Sequence, residues 1–216
     1  MPKRTIDAFV FDLDGTLLHT LPDLIAVTNE SLRHFGMPEH DDAAIQSFAA
    51  NGAVALMLQA VPNNCSPELA QEALAYWKAT ALDHGALLSR PFPGVVETLG
   101  RLHEAGKQLG VLSNKFQAGV DDQLAHNLPD LFDVALGDGS VPRKPDPTGM
   151  LETARRLGVA PERMAYVGDS VGDMQAAVRA GALAVGVTWG YHPVEQIKAA
   201  GADMLLDTPE QLLTLI

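Results

Sequence analysis

The chain has 216 residues, 47% of them hydrophobic and 19% charged, the profile of an ordinary globular protein with room for one domain plus an insert, or two small domains. Its formal net charge of −12 argues against nucleic acid or an anionic membrane surface as a partner. No apolar run reaches the ~18 residues of a membrane span, the basic start leads into a strand rather than a leader, and the lone Cys65 has no disulfide partner, so the cytoplasm is the expected compartment.

IDAFVF, residues 6–11, is a short, nearly continuous apolar run rich in β-formers, which predicts a central parallel strand buried on both faces. It ends in Asp12-Leu13-Asp14-Gly15-Thr16, two carboxylates one residue apart that repel unless the rest of the chain compensates them. Residues 21–84 then read as helices only. Leu21, Leu24, Ile25, Thr28, Leu32 and Phe35 share one helical face, Val54, Met57, Leu58 and Val61 a second, and Leu69, Ala73, Tyr76, Trp77 and Thr80 a third. This predicts a helical bundle inserted after the first strand, joined through residues 15–20 and about 85–93. From about residue 94 the grammar changes to helix, glycine, strand, repeated four times, with the helices stopping at Gly106, Gly158, Gly181 and Gly201. The expected fold is α/β: a Rossmann-like, mostly parallel sheet built from residues 1–18 and 88–216, with an α-helical cap over 19–87.

In such sheets the chemistry gathers at the carboxyl ends of the strands. Four segments there deliver polar groups: Asp12 and Asp14; Ser113 and Asn114, followed by Lys115; Lys144, held before a proline in VPRKPDP; and Asp169, with Asp173 on the opening turn of the next helix. Clustered carboxylates make a hard oxygen site suited to Mg²⁺, which removes the repulsion within the Asp12 pair. The backbone carbonyl of Asp14 is available as a ligand while its side chain points elsewhere. Ser113 and Lys144 offer a donor and a positive charge to a phosphoryl group, and an aspartate is a competent nucleophile towards phosphorus.

The constellation resembles the haloacid dehalogenase superfamily and its phosphatase branch: DLDGT (12–16), Ser113, Lys144 and GDSVGD (168–173) stand in the family's order, and the insert looks like its type-1 cap. The resemblance implies Asp12 as nucleophile and Asp14 as general acid–base. It makes Thr16 the orienter of that pair, gives the phosphoryl group to Ser113 and Lys144, and completes the Mg²⁺ site with Asp169, supported by Asp173. FAANGAVALM, VPRKPDP and TWGY resemble the phosphoglycolate phosphatase-like group, implying a small phosphorylated metabolite as substrate. Asn51 and Gly52 fit either a cap helix start or the substrate pocket. One position departs from the family: after DGTL, where it usually reads an apolar residue, Asp and Ser/Thr, this chain has Leu18-His19-Thr20. A phosphomutase or dehalogenase on the same scaffold, and an aspartyl-phosphate switch, are the alternatives. Asp14 argues against the dehalogenase, because halide leaves unprotonated. Trp189 and Tyr191 are expected to pack or line a rim, Cys65 to be inert, and the histidines, which lack zinc spacing, to serve surface or packing roles. Monomer and homodimer are both compatible with the sequence.

Overall fold

The computed structural model describes residues 5–49 and 53–216. Among these, one sheet carries strands β1 (Ala8–Phe11), β4 (Gln108–Phe116), β5 (Val134–Asp138), β6 (Met164–Gly168), β7 (Leu183–Val187) and β8 (Met204–Leu206). All its pairings are parallel, in the order β5-β4-β1-β6-β7-β8. The first strand is central because every one of its side chains is buried: Phe9 and Phe11 enter one apolar cluster, Ala8 and Val10 the cluster on the opposite face. Helices α5 (Val95–Glu104), α6 (Gln117–Asn127), α7 (Thr148–Leu157), α8 (Val171–Ala180) and α9 (Val194–Ala199) connect the strands. The expected stop glycines Gly106, Gly158, Gly181 and Gly201 all have positive φ, between 69° and 106°.

This strand order creates a switch point above β1. The chain passes from β1 to β4 and β5 on one side, then crosses to β6, β7 and β8 on the other. Phe11 is level with both Val111 and Val167, so Asp12 leaves the sheet between the segments that carry Ser113 and Asp169. A crevice at the carboxyl end of the strands is the result.

The cap contains α1 (Leu21–His34), α2 (Asp42–Ala49), α3 (Ala53–Ala60) and α4 (Pro67–His84). Periodicity indicates three of these; α2 is an addition, hard to read from sequence because only Ile45 within it is buried. Trp77 is the centre of the bundle, fully buried, with its indole N–H donating to Thr28 Oγ1 at 3.0 Å. The two crossovers are not plain linkers. β2 (Leu18–His19) pairs antiparallel with β3 (Arg90–Pro91), and Asp23 clasps the returning chain by accepting from Leu88 N at 2.9 Å, Ser89 N at 2.7 Å and the Ser89 hydroxyl. Phe116, the last residue of β4, packs within the cap's apolar cluster, edge-on to Trp77 with ring centroids 6.1 Å apart. No helix among the described residues is long and apolar enough to cross a membrane.

Candidate active site

Asp12, Asp14, Ser113, Asn114, Lys144 and Asp169 converge on one cavity of about 40 Å³ at the carboxyl edge of the sheet. Lys115, Tyr191 and His192 also line it, as does Ala49 of the cap helix α2. A cavity of this size holds a few water-sized groups.

The ammonium of Lys144 organises the floor. It lies 2.8 Å from Asp12 Oδ1 and 2.7 Å from Asp173 Oδ1, and it donates to Leu112 O at 3.0 Å. Its backbone is clasped by the Asn114 amide, which accepts from Lys144 N at 2.8 Å and donates to Lys144 O at 3.1 Å. Asn114 therefore reaches the cavity chiefly as the holder of Lys144. Tyr166, fully buried in β6, adds its hydroxyl 2.7 Å from the Lys144 ammonium and donates to Leu112 O. Burial alone would lower the Lys144 pKa, but Asp12 and Asp173 outweigh it, and the lysine is held charged above its ordinary value.

The acids divide into three environments. Burial pushes the Asp12 pKa up to about 7; Lys144 opposes this, and Asp173 and Asp169 reinforce it. Asp14 points elsewhere and forms an ion pair with Lys115 at 3.2 Å. Asp173 completes a capping box at the start of α8, its Oδ2 accepting from Ser170 N at 2.9 Å and Ser170 Oγ at 2.7 Å. Both Asp173 oxygens are thus engaged by protein donors.

Asp12, Asp169 and Asp173 offer carboxylate oxygens within 4.8 Å of one another, all buried. The ammonium of Lys144 contacts two of these three acids. With all four ionised the cluster carries a net charge of −2, the complement of one divalent cation, and oxygen donors of this kind suit Mg²⁺. The acids present therefore fit such an ion. The Asp14 side chain stands outside the cluster.

Asp169 is enclosed from three sides. Thr16 Oγ1 donates to its Oδ1 at 3.3 Å, and Tyr191 N donates to its Oδ2 at 2.7 Å. Side chains at Gly15 and Gly190 would collide with it: a Cβ there would sit 2.5 Å from Oδ2 and 2.2 Å from the Asp169 Cβ, respectively. Thr16 accordingly touches Asp169 rather than Asp12 or Asp14 and does not line the cavity, which differs from the orienting role implied by resemblance. Asn51 and Gly52 lie outside the described residues.

Three further lining residues lie outside the motifs: Lys115, given no role by the sequence, Tyr191, expected to pack or line a rim, and His192, expected in a surface or packing role. Lys115 carried a readable signal, since a lysine inside an apolar strand needs a partner when buried, and it is 6% exposed here. Tyr191 accepts at its hydroxyl from Thr20 N at 2.9 Å and Leu21 N at 3.0 Å, linking the β7–α9 loop to the first cap helix. His192 Nδ1 is buried without a hydrogen-bond partner, 4.0 Å from Asp169 Oδ2. Nothing in local periodicity indicates that this loop folds back over the site.

A family model for haloacid dehalogenase-like hydrolases matches residues 9–187. The chain belongs to that family. Among similar proteins of this hydrolase, a phosphoglycolate phosphatase of Vibrio vulnificus (strain YJ016) is 35% identical over 224 residues, covering 100% of this chain and 98% of that protein. An N-acetylmuramic acid 6-phosphate phosphatase of Pseudomonas aeruginosa is 33% identical, covering 100% of this chain and 97% of its own. A crystal structure of a predicted phosphoglycolate phosphatase from Haemophilus somnus 129pt superposes with a TM-score of 0.90 at 30% identity, covering 97% of both chains. The hydrolase thus matches these proteins over both its sheet and its cap.

Proposed function

We propose that this hydrolase is a Mg²⁺-dependent phosphomonoesterase that works through an aspartyl-phosphate on Asp12. The observation that carries the reading is the convergence of Asp12, Asp14, Ser113 and Lys144 on one small cavity with the acid cluster beside it. Asp12, Asp169 and the Asp14 backbone carbonyl would hold the cation, with Asp173 supporting them through Lys144 and Ser170. When bound, the cation would neutralise Asp12 and draw electron density from the phosphoryl oxygens.

Ser113 and Lys144 fix the phosphoryl group so that an Asp12 carboxylate oxygen lies in line with the leaving oxygen. The Asp12 O–P bond forms as the P–O bond to the leaving group breaks, and Asp14 gives that oxygen its proton. Asp14, now ionised and held by Lys115, takes a proton from a water. The water oxygen attacks phosphorus, the Asp12 O–P bond breaks, and inorganic phosphate leaves with Asp12 regenerated. Excluding bulk water falls to the cap, whose helix α2 already borders the cavity. The relatives make phosphoglycolate the first substrate to test and N-acetylmuramic acid 6-phosphate the second.

A panel of phosphoesters assayed with and without Mg²⁺ tests the reading. Phosphate release that depends on Mg²⁺ and is lost in Asp12→Asn is the expected result. Transfer of the phosphoryl group to a sugar hydroxyl, with no phosphate released, would replace it with a mutase.

A further inference from the structure

Tyr191 lines two cavities. One is the catalytic cavity of about 40 Å³; the other is an open groove of about 380 Å³, bordered by His19, Gln46, Arg90, Phe92, Trp189 and Tyr191. The same cap helix reaches both: Ala49 of α2 lines the catalytic cavity, and Gln46, one turn earlier, lines the groove. The smaller space has room for a phosphoryl group and little else. The larger has room for an organic group of several carbons.

The groove also holds a cation without a counter-charge. Among the described residues Arg33, Arg155, Arg156 and Arg163 are ion-paired with carboxylates. Arg90, like Arg101 and Arg179, has no such partner; its hydrogen bond runs to Ser89 O at 2.6 Å, and of these three it is the one that lines the groove. In a chain of net charge −12, an arginine left without a carboxylate beside an active site is available for one on a ligand. Phe92 and Trp189 supply apolar ring faces in the same groove, and the Gln46 amide supplies both a donor and an acceptor. Arg90 belongs to β3, the strand that returns the chain from the cap, and pairs in register with His19 of β2. The cation of the subsite therefore comes from the crossover ribbon, while the cap bundle, which is poor in cations, contributes Gln46.

We propose that this groove is the subsite for the leaving-group end of the substrate, and that Arg90 binds a carboxylate carried there. The preferred substrates are then phosphoesters of sugar-acid size, with the carboxylate remote from the phosphate, rather than a two-carbon acid. The proposal rests on the phosphatase reading above.

The test compares kcat/KM for gluconate 6-phosphate, glucose 6-phosphate, phosphoglycolate and p-nitrophenyl phosphate in the wild type, Arg90→Gln and Arg90→Lys. Gluconate and glucose 6-phosphates have similar size but differ in the terminal carboxylate. The expected wild-type preference for the carboxylate ester is about tenfold or more, the scale of one charge-assisted hydrogen bond. Arg90→Gln should collapse that ratio and Arg90→Lys should retain part of it. A ratio that is the same in wild type and Arg90→Gln overturns the proposal. So does a wild type that hydrolyses phosphoglycolate best and the six-carbon esters poorly. If Arg90→Gln does not fold, the wild-type ratio decides alone. Failure to hydrolyse any ester, p-nitrophenyl phosphate included, removes the phosphatase reading and the proposal with it, which sets that result apart from a loss of selectivity alone.

Discussion

At the scale of single residues, the acid cluster makes opposed demands on folding and function. Asp12 is pushed up to about 7 by burial and by two neighbouring acids. An acid whose pKa is raised on folding binds its proton more tightly in the native state than in the unfolded chain. The metal-free protein should therefore lose stability as pH rises from about 4 through about 7, the window between the ordinary aspartate value and the raised one. Asp12→Asn removes that dependence, so its metal-free melting temperature should exceed the wild type's at pH 8, with the gap closing towards pH 5. Calorimetry across this range checks the sign; a wild type more stable at pH 8 than at pH 5 would contradict it. The same substitution should abolish turnover by several orders of magnitude, because an amide forms no acyl-phosphate. Asp14→Ala should act differently. Esters with poor leaving groups should slow most, whereas p-nitrophenyl phosphate, whose leaving group needs little protonation, should still phosphorylate Asp12 and let the phosphoenzyme accumulate. Rapid-quench trapping of that species measures the effect. Equal slowing of all esters with no trapped species would remove Asp14 as the acid–base.

At the scale of elements, the loop after β7 connects cap and sheet. Trp189 donates its indole N–H to Thr16 O at 3.0 Å, Tyr191 N donates to Asp169, and the Tyr191 hydroxyl receives two N–H groups at the start of α1. The hydroxyl hydrogen then faces His19 Nδ1 at 3.4 Å, so the residue that departs from the family pattern sits against this contact. Tyr191→Phe leaves those helix-start donors without their acceptor. A loss of about 1 kcal/mol and a fall of roughly 2–4 °C in Tm are expected. Hydrogen exchange should accelerate at Thr20 and Leu21 more than within β1; uniform acceleration would mean general destabilisation instead. The elements that were legible in the sequence are those whose faces repeat. β1, the glycine-stopped helices and the sheet class follow from periodicity, and the acids and lysine at the strand ends follow from their order. For Tyr191 only a packing or rim place was legible, and for His192 only a surface or packing one; their contacts with Asp169 and the cap depend on a loop folding back across more than one strand. The bond from Thr16 to Asp169 was not legible for a related reason: a hydroxyl's position in a motif does not show which carboxylate it faces.

At the scale of the whole molecule, a net charge of −12 must admit an anionic substrate. Exposed charges are screened over about 8 Å at physiological salt, whereas buried groups such as Lys144 are screened much less. Raising ionic strength from about 10 mM towards about 150 mM should therefore weaken the long-range repulsion more than the local attraction, and kcat/KM for a dianionic ester should rise. A steady fall over that range would show that local positive charge already governs encounter. The connectivity bears on synthesis as well as on catalysis. Ala8, in the strand that leads to Asp12, pairs with Gln108 on one side and Met164 on the other, so both neighbours leave the ribosome long after it does. Helices α1 and α4, which lie between, are complete well before either partner strand exists. During translation the cap helices can thus form while the apolar strand beneath them still waits for its sheet. Because Phe116 closes the cap's apolar cluster, the cap in turn awaits the end of β4 before its packing is complete. A nascent chain stalled with about 100 residues exposed should hold helical cap segments beside an unpaired AFVF strand, a natural point for a chaperone to bind.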